Sequence, residues 1–293
     1  MEQAPSPVAG REPAAEPTPD WPPWFAFAGF FGALLCTVTA VGLVAVAAGV
    51  DSSGDTPPGI VIAGTLIQSV FLLGAAYVLA RSVTPPRIWH FGLRRARLWR
   101  TIGWAALGMV AFYVLTAVYG ALVQPDVEQD VTDTLGADDG TLGLIAAGVM
   151  VMVVAPFAEE AFFRGFFYRA LRTRWPVAVA ALVDGLIFGL IHFSFDGAEG
   201  LLILPPLAFL GVIFCLVYEK TGTLWAVVGM HAFNNAIAFS YQADDGWKIA
   251  VIAGPLMLVA CAVIPRLMPD GPAPLPPPER GARPDAQLSL PVE

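Results

Sequence analysis

The chain is punctuated by runs of about 20 apolar residues, the length that a helix needs to cross the hydrocarbon of a bilayer. Eight such runs are legible: 24–50, 59–80, 101–124, 142–172, 177–195, 201–218, 223–240 and 249–265. Only 14% of the 293 residues are charged and 56% are hydrophobic, where a soluble domain carries about 25% charge. Lipid satisfies no backbone polar group, so the expected fold is all-α: a polytopic membrane protein of about eight transmembrane helices. No repeat, phosphate loop or basic nucleic-acid patch is present, so the partners expected are the bilayer and a membrane-associated protein or peptide, not nucleic acid.

The composition divides the chain further. Residues 1–23 hold seven prolines and 267–293 hold eight, which reads as two disordered cytoplasmic tails. Between them lie three helices with their loops (24–141), a core of four (142–240) and a last helix (241–266). The first span has no basic region before it and is too long for a signal-peptide core, so it should be retained. Cys36, Cys215 and Cys261 all fall in spans and read as small apolar residues.

The net charge of −8 matters less than where the charges lie. Arg81, Arg87, Arg94, Arg95, Arg97 and Arg100 crowd one connection, and Arg169, Arg172 and Arg174 follow the fourth span. The loop 125–141 has six acidic residues and no Lys or Arg. Positive charge stays inside, so the Arg-rich connections and both termini should be cytoplasmic, in a multi-pass protein of the cell membrane. Fourteen Arg against two Lys, with abundant Ala and Gly, suits a GC-rich bacterial genome.

Ionisable groups at membrane depth cost roughly 2.5–3.5 kcal/mol each on insertion scales, so their placement points to function. Glu159 and Glu160 end an uncharged stretch, and Pro156 is expected to kink the helix just before them. Glu160 precedes Arg164 by four residues, the favourable order for an ion pair, which leaves Glu159 for another task. Phe188 and His192, then His231 and Asn235, are two further pairs at the same spacing. From residue 175, Glu159 is 16 residues back and His192 17 forward, about 24–26 Å each, and His231 is about 12 Å past Thr223. The three should therefore share one layer. A carboxylate and an imidazole there can deprotonate water or share a metal, and a second His with an Asn supplies oxyanion donors.

Blander readings apply elsewhere. Gly185 and Gly189 suit close helix packing. Asp184 is either a positioning group or a structural contact, Pro205–Pro206 should break the sixth span, His90 reads as a surface or interfacial residue, and Trp225 as an interface anchor.

The segments Glu159-Glu160-Ala-Phe-Phe-Arg164, Phe188-Gly-Leu-Ile-His192 and His231-Ala-Phe-Asn-Asn235 resemble, in order and spacing, the three signature motifs of the CPBP family. That family comprises CAAX prenyl endopeptidases and bacteriocin-processing or immunity (Abi) proteins, and Thr221-Gly-Thr-Leu-Trp225 before the third motif is also typical of it. The likeness spans about 142–240. It implies an eight-helix intramembrane protease with a conical cavity open to the cytoplasm. It further implies that Glu159 and His192 activate water, that His231 and Asn235 stabilise the oxyanion, and that Glu160, Arg164 and Phe188 support them. The cofactor is expected to be none or zinc, the latter on Glu159, His192 and His231. The alternatives are a non-catalytic immunity or scaffold protein and, less well supported, an ion-coupled transporter.

Overall fold

A computed structural model describes residues 19–50, 56–125, 131–193 and 201–268. Most of both expected tails, 1–18 and 269–293, therefore lies outside the described residues. Among the described residues eight principal helices follow one another: α1 Trp24–Ala47, α2 Pro58–Val83, α3 Leu98–Val123, α4 Thr141–Arg172, α5 Val177–Leu190, α6 Leu204–Thr221, α7 Leu224–Gln242 and α8 Gly246–Leu267. The all-α membrane architecture is as expected, and no strand occurs among the described residues.

Six of the eight, α1–α4, α6 and α8, are long and apolar enough to cross a membrane by length and composition. Helix α5 has only 14 residues, about 21 Å, and the apolar sequence of α7, itself a continuous helix, is broken by His231, Asn234 and Asn235. Those two helices carry two of the three motifs, so the shortfall falls where the chemistry is expected.

Helix α4 is the axis of the molecule. It packs against α2 on one side and α7 on the other, while α5 pairs with α6, α7 with α8, and α1 with α2. It is not a uniform α-helix: Met150–Val154 and Phe163–Tyr168 are π-wound. The first widening has a cause in the sequence, because the ring of Pro156 collides with the carbonyl of residue 152 in regular α geometry. The expected kink is thus absorbed by one wider turn.

Close helix approach at α5–α6 rests on glycine. A Cβ on Gly185 would come within 2.7 Å of the Val212 nitrogen and 2.8 Å of the Ala208 carbonyl oxygen. The paired prolines Pro205 and Pro206 do not break α6 as expected. They occupy its first turn, where a missing N–H costs nothing and a fixed φ favours helix entry.

Other expectations are also corrected. Residues 19–23, assigned above to the tail, are packed: Trp21 is buried against Phe91 and Phe166 at 5.3 Å each, and its carbonyl accepts from the Thr173 hydroxyl at 2.9 Å. His90 is buried, with Nδ1 accepting the Arg87 backbone N–H at 3.1 Å. Trp225 is buried beside Phe157 and does not anchor at an interface.

Candidate functional site

The core of the site is an ionic cluster with no exposed side chain. Glu160 Oε1 accepts from Arg164 Nη1 at 2.9 Å, one helical turn away on α4. The same oxygen accepts from Nδ1 of His231 on α7 at 2.8 Å. Arg164 also donates from Nη2 to the Gly211 carbonyl at 3.0 Å, and its Nε lies 3.4 Å from Asp184 Oδ1. Cys215 donates its thiol to that Asp184 oxygen at 3.1 Å. Asp184 is thus part of the support beneath Arg164. The guanidinium is further sandwiched by Phe188 (4.4 Å) and Phe214 (5.1 Å), which shield it from water and add cation–π attraction.

Glu159, as expected from the helical angle between neighbours, points elsewhere. Its Oε2 is buried without a hydrogen-bond partner among the described residues and stands 3.9 Å from His231 Nε2. Both line a cavity of about 360 Å³ together with His192, Phe188 and Asn235. Residues of all three sequence motifs therefore meet in one place.

Hydrogen bonds set the tautomers of both histidines. A carbonyl only accepts, so the 3.0 Å contact of His192 Nδ1 with the Phe188 carbonyl puts a proton on Nδ1 and makes Nε2 the acceptor of a neutral ring. Glu160 does the same for Nδ1 of His231, so its Nε2 is the nitrogen that faces Glu159. Phe188 lies edge-on to both rings, at 5.2 and 5.8 Å.

Asn235 is held by the defect in α4. Ala155 donates its N–H to Met150, one residue further back than in an α-helix, and Pro156 has no N–H to give. The Val151 carbonyl is left without either backbone donor, and Asn235 Nδ2 supplies the bond at 2.9 Å. The second N–H of that amide is not used in this contact.

Sequence reasoning missed several of these features. The Glu160–His231 bond joins residues 71 apart and leaves no periodic trace. Thr65 and Gln68 of α2 also line the cavity, outside the recognised motifs. The orphaned Val151 carbonyl, by contrast, was foreshadowed by Pro156.

Among the described residues no three of His, Cys, Asp and Glu are grouped to hold an ion, so Glu159, His192 and His231 do not form the zinc site considered from sequence.

Residues 141–237 match the family model described as type II CAAX prenyl endopeptidase Rce1-like, a segment that contains all three motifs. Two bacterial proteins are similar to the chain. The uncharacterized protein YyaK of Bacillus subtilis (strain 168) is 33% identical over 96 residues, covering 31% of this chain and 32% of YyaK. An uncharacterized 24.3 kDa protein of Escherichia coli is 28% identical over 136 residues, 45% of this chain and 61% of that protein. The chain thus spans less than two thirds of either relative. No solved structure gives a significant match to it.

Proposed function

We propose, from the match of residues 141–237 to the type II CAAX prenyl endopeptidase Rce1-like model, that the chain is an intramembrane endopeptidase. Its substrate is a membrane-associated protein or peptide, hydrolysed by water that Glu159 and His192 activate. The observation that carries this reading is Glu159, which lines a cavity with both histidines and whose buried Oε2 has no hydrogen-bond partner among the described residues. Glu160, by contrast, binds both Arg164 and His231 through its Oε1, as a structural glutamate at that depth would.

In this mechanism Glu159 takes a proton from water as the oxygen attacks the peptide carbonyl, and His192 Nε2 accepts a hydrogen bond from the same water. The tetrahedral oxyanion is met by the second N–H of Asn235 and, when His231 carries both protons, by its Nε2–H. Glu160 and Arg164 do not touch substrate. They hold the His231 ring so that Nε2 faces the cavity, and Phe188 fixes the ring planes. Glu159 then returns its proton to the leaving amine.

The test compares membrane-peptide profiles of cells making the wild-type protein with those making Glu159→Gln. Peptides that depend on the wild-type protein and vanish with the variant, at equal protein levels, support hydrolysis. Identical profiles would leave the immunity or scaffold reading standing.

A further inference from the structure

A second cavity uses a different face of α7. Helices α3 and α8 both pack on α7 and leave a groove of about 580 Å³ between them. Its floor is Ala226, Gly229 and Met230 of α7, all buried. The α7 residues of this groove and those of the Glu159 cavity centre about half a revolution apart. The flanks of the groove are exposed: Ile102, Ala106 and Val110 on α3, and Leu258 on α8. Both flanking helices are long and apolar enough to cross a membrane, so these flanks face lipid.

The groove starts at the Arg-rich end of the bundle. The beginnings of α3 and α7 are tied together there, with the Leu224 N–H donating to the Gly92 carbonyl at 2.9 Å, and α8 returns to finish beside them. The lining runs from Leu98 to Tyr113 on α3, from Trp225 to Phe233 on α7 and from Leu258 to Pro265 on α8. At ~1.5 Å per residue these walls are about 22, 12 and 10 Å long, which brackets the roughly 15 Å of hydrocarbon in one leaflet. Ala96, Thr101 and Pro265 line the groove at its Arg-rich end. The residues next to them in sequence are Arg95, Arg97, Arg100 and Arg266, all exposed and none with an acidic partner among the described residues. The acidic side chains of that end, Asp20 and Glu219, are already paired with Arg174 and Arg172. Trp225 lines the same end, and its buried indole N–H has no hydrogen-bond partner among the described residues.

We infer that the groove between α3 and α8 is a binding site for an anionic phospholipid of the leaflet at the Arg-rich end. One acyl chain lies on Ala226, Gly229 and Met230, and the phosphate sits among Arg97, Arg100 and Arg266. An apolar slot one leaflet deep, capped by unpaired guanidinium groups, is the arrangement that recognises anionic headgroups. A zwitterionic lipid brings a cation of its own to a place that already holds four. A partner helix is a poorer fit, since a helix about 10 Å across and 15 Å long fills on the order of 1,200 Å³, twice the space available. The bound chain would brace the back of the helix that presents His231 and Asn235. The site stands independently of the hydrolytic reading.

The experiment uses the full chain, purified in detergent and stripped of lipid. It is given phosphatidylglycerol or phosphatidylcholine with matched acyl chains, and retained lipid is counted by native mass spectrometry. Phosphatidylglycerol should be retained about fivefold or more over phosphatidylcholine. Replacing Arg97, Arg100 and Arg266 together by Gln should erase that preference and leave the two lipids equal. Ala106→Trp, which fills the groove from its lipid-facing flank, should abolish retention of both lipids. If Ala106→Trp does not fold, Ile102→Trp on the same flank takes its place. Equal retention of the two lipids by the unmodified chain overturns the inference, because lipid would then be bound without regard to charge. A preference that survives the three Gln substitutions, or retention that survives the Trp, overturns it as well. So does a chain that retains no lipid, the result expected if its own residues 269–293 or a second copy occupy the groove.

Discussion

Asn235 Nδ2 stands 2.9 Å from the Val151 carbonyl oxygen, bonding two residues 84 apart in sequence across the α4–α7 contact. This bond serves a carbonyl that its own helix cannot serve, because Pro156 interrupts the ladder. Removing the amide in Asn235→Ala should cost about 1–3 kcal/mol, the penalty of an unsatisfied buried acceptor. The Pro156→Ala change restores an N–H at the position that a π turn would use. In that background the loss from Asn235→Ala should shrink by at least half. Equal losses in both backgrounds, by denaturant unfolding in detergent, would show the two sites to be uncoupled.

The neighbouring glutamates should separate cleanly. Glu159→Gln should abolish turnover with its melting temperature unchanged within a few degrees. Glu160→Gln weakens the partner of both Arg164 and His231, all three buried, and should cost about 3–5 kcal/mol of stability. Thermal unfolding and peptide cleavage measured on both variants check the assignment, and full activity in Glu159→Gln is the result that defeats it.

His90 gives the protein an acid sensitivity unrelated to catalysis. Burial, with Arg169 and Arg87 nearby, pushes its pKa down from 6.5 to about 4. The unfolded chain therefore binds a proton near pH 6.5 and the folded one only near 4, so stability should fall as the pH drops through that window. Above pH 6.5 this histidine contributes no pH dependence. Melting curves from pH 7.5 to 4.5 should be flatter for His90→Asn than for wild type, and parallel curves would refute the assignment.

Helix packing at α5–α6 should tolerate no methyl group at Gly185. The new Cβ would meet backbone atoms on α6, which have nowhere to move, so Gly185→Ala should destabilise by roughly 1–3 kcal/mol. Gly74 on α2 has open space around it, and Gly74→Ala should be neutral or slightly stabilising. Melting temperatures of the two variants provide the comparison.

The scattered donor set predicts the response to chelation. Cleavage by purified protein should persist after treatment with a strong zinc chelator. Activity lost to the chelator and restored by added zinc would require Glu159, His192 and Nε2 of His231 to draw together as ligands, with Glu160 still holding Nδ1.

The parts of this molecule that were legible in its sequence are the local ones. Glu160 and Arg164 share a helical face by spacing alone, so their pair could be read directly. Gly185 and Gly189 announced a close approach in the same way. The spacings within Phe188–His192 and His231–Asn235 marked the side chains that line the cavity. What stayed hidden depends on partners remote in sequence: His231 on Glu160, Cys215 on Asp184, Thr65 in the cavity wall. Composition also misleads where one residue outweighs its neighbours. Seven prolines suggested a loose tail up to residue 23, but the indole of Trp21 finds an aromatic slot and ties down the end of that segment.

Phe162, Phe163, Phe166 and Phe167, which follow Glu159 along α4 and are each wholly buried, also bear on the electrical integrity of the membrane. A water-filled pit that reaches halfway through a bilayer would thin the insulator for every ion nearby. Four buried rings with no polar atom offer an ion nothing in exchange for its hydration shell. If the site works as proposed, such a layer lets a cell keep wet chemistry inside its membrane without short-circuiting the gradient that the membrane maintains.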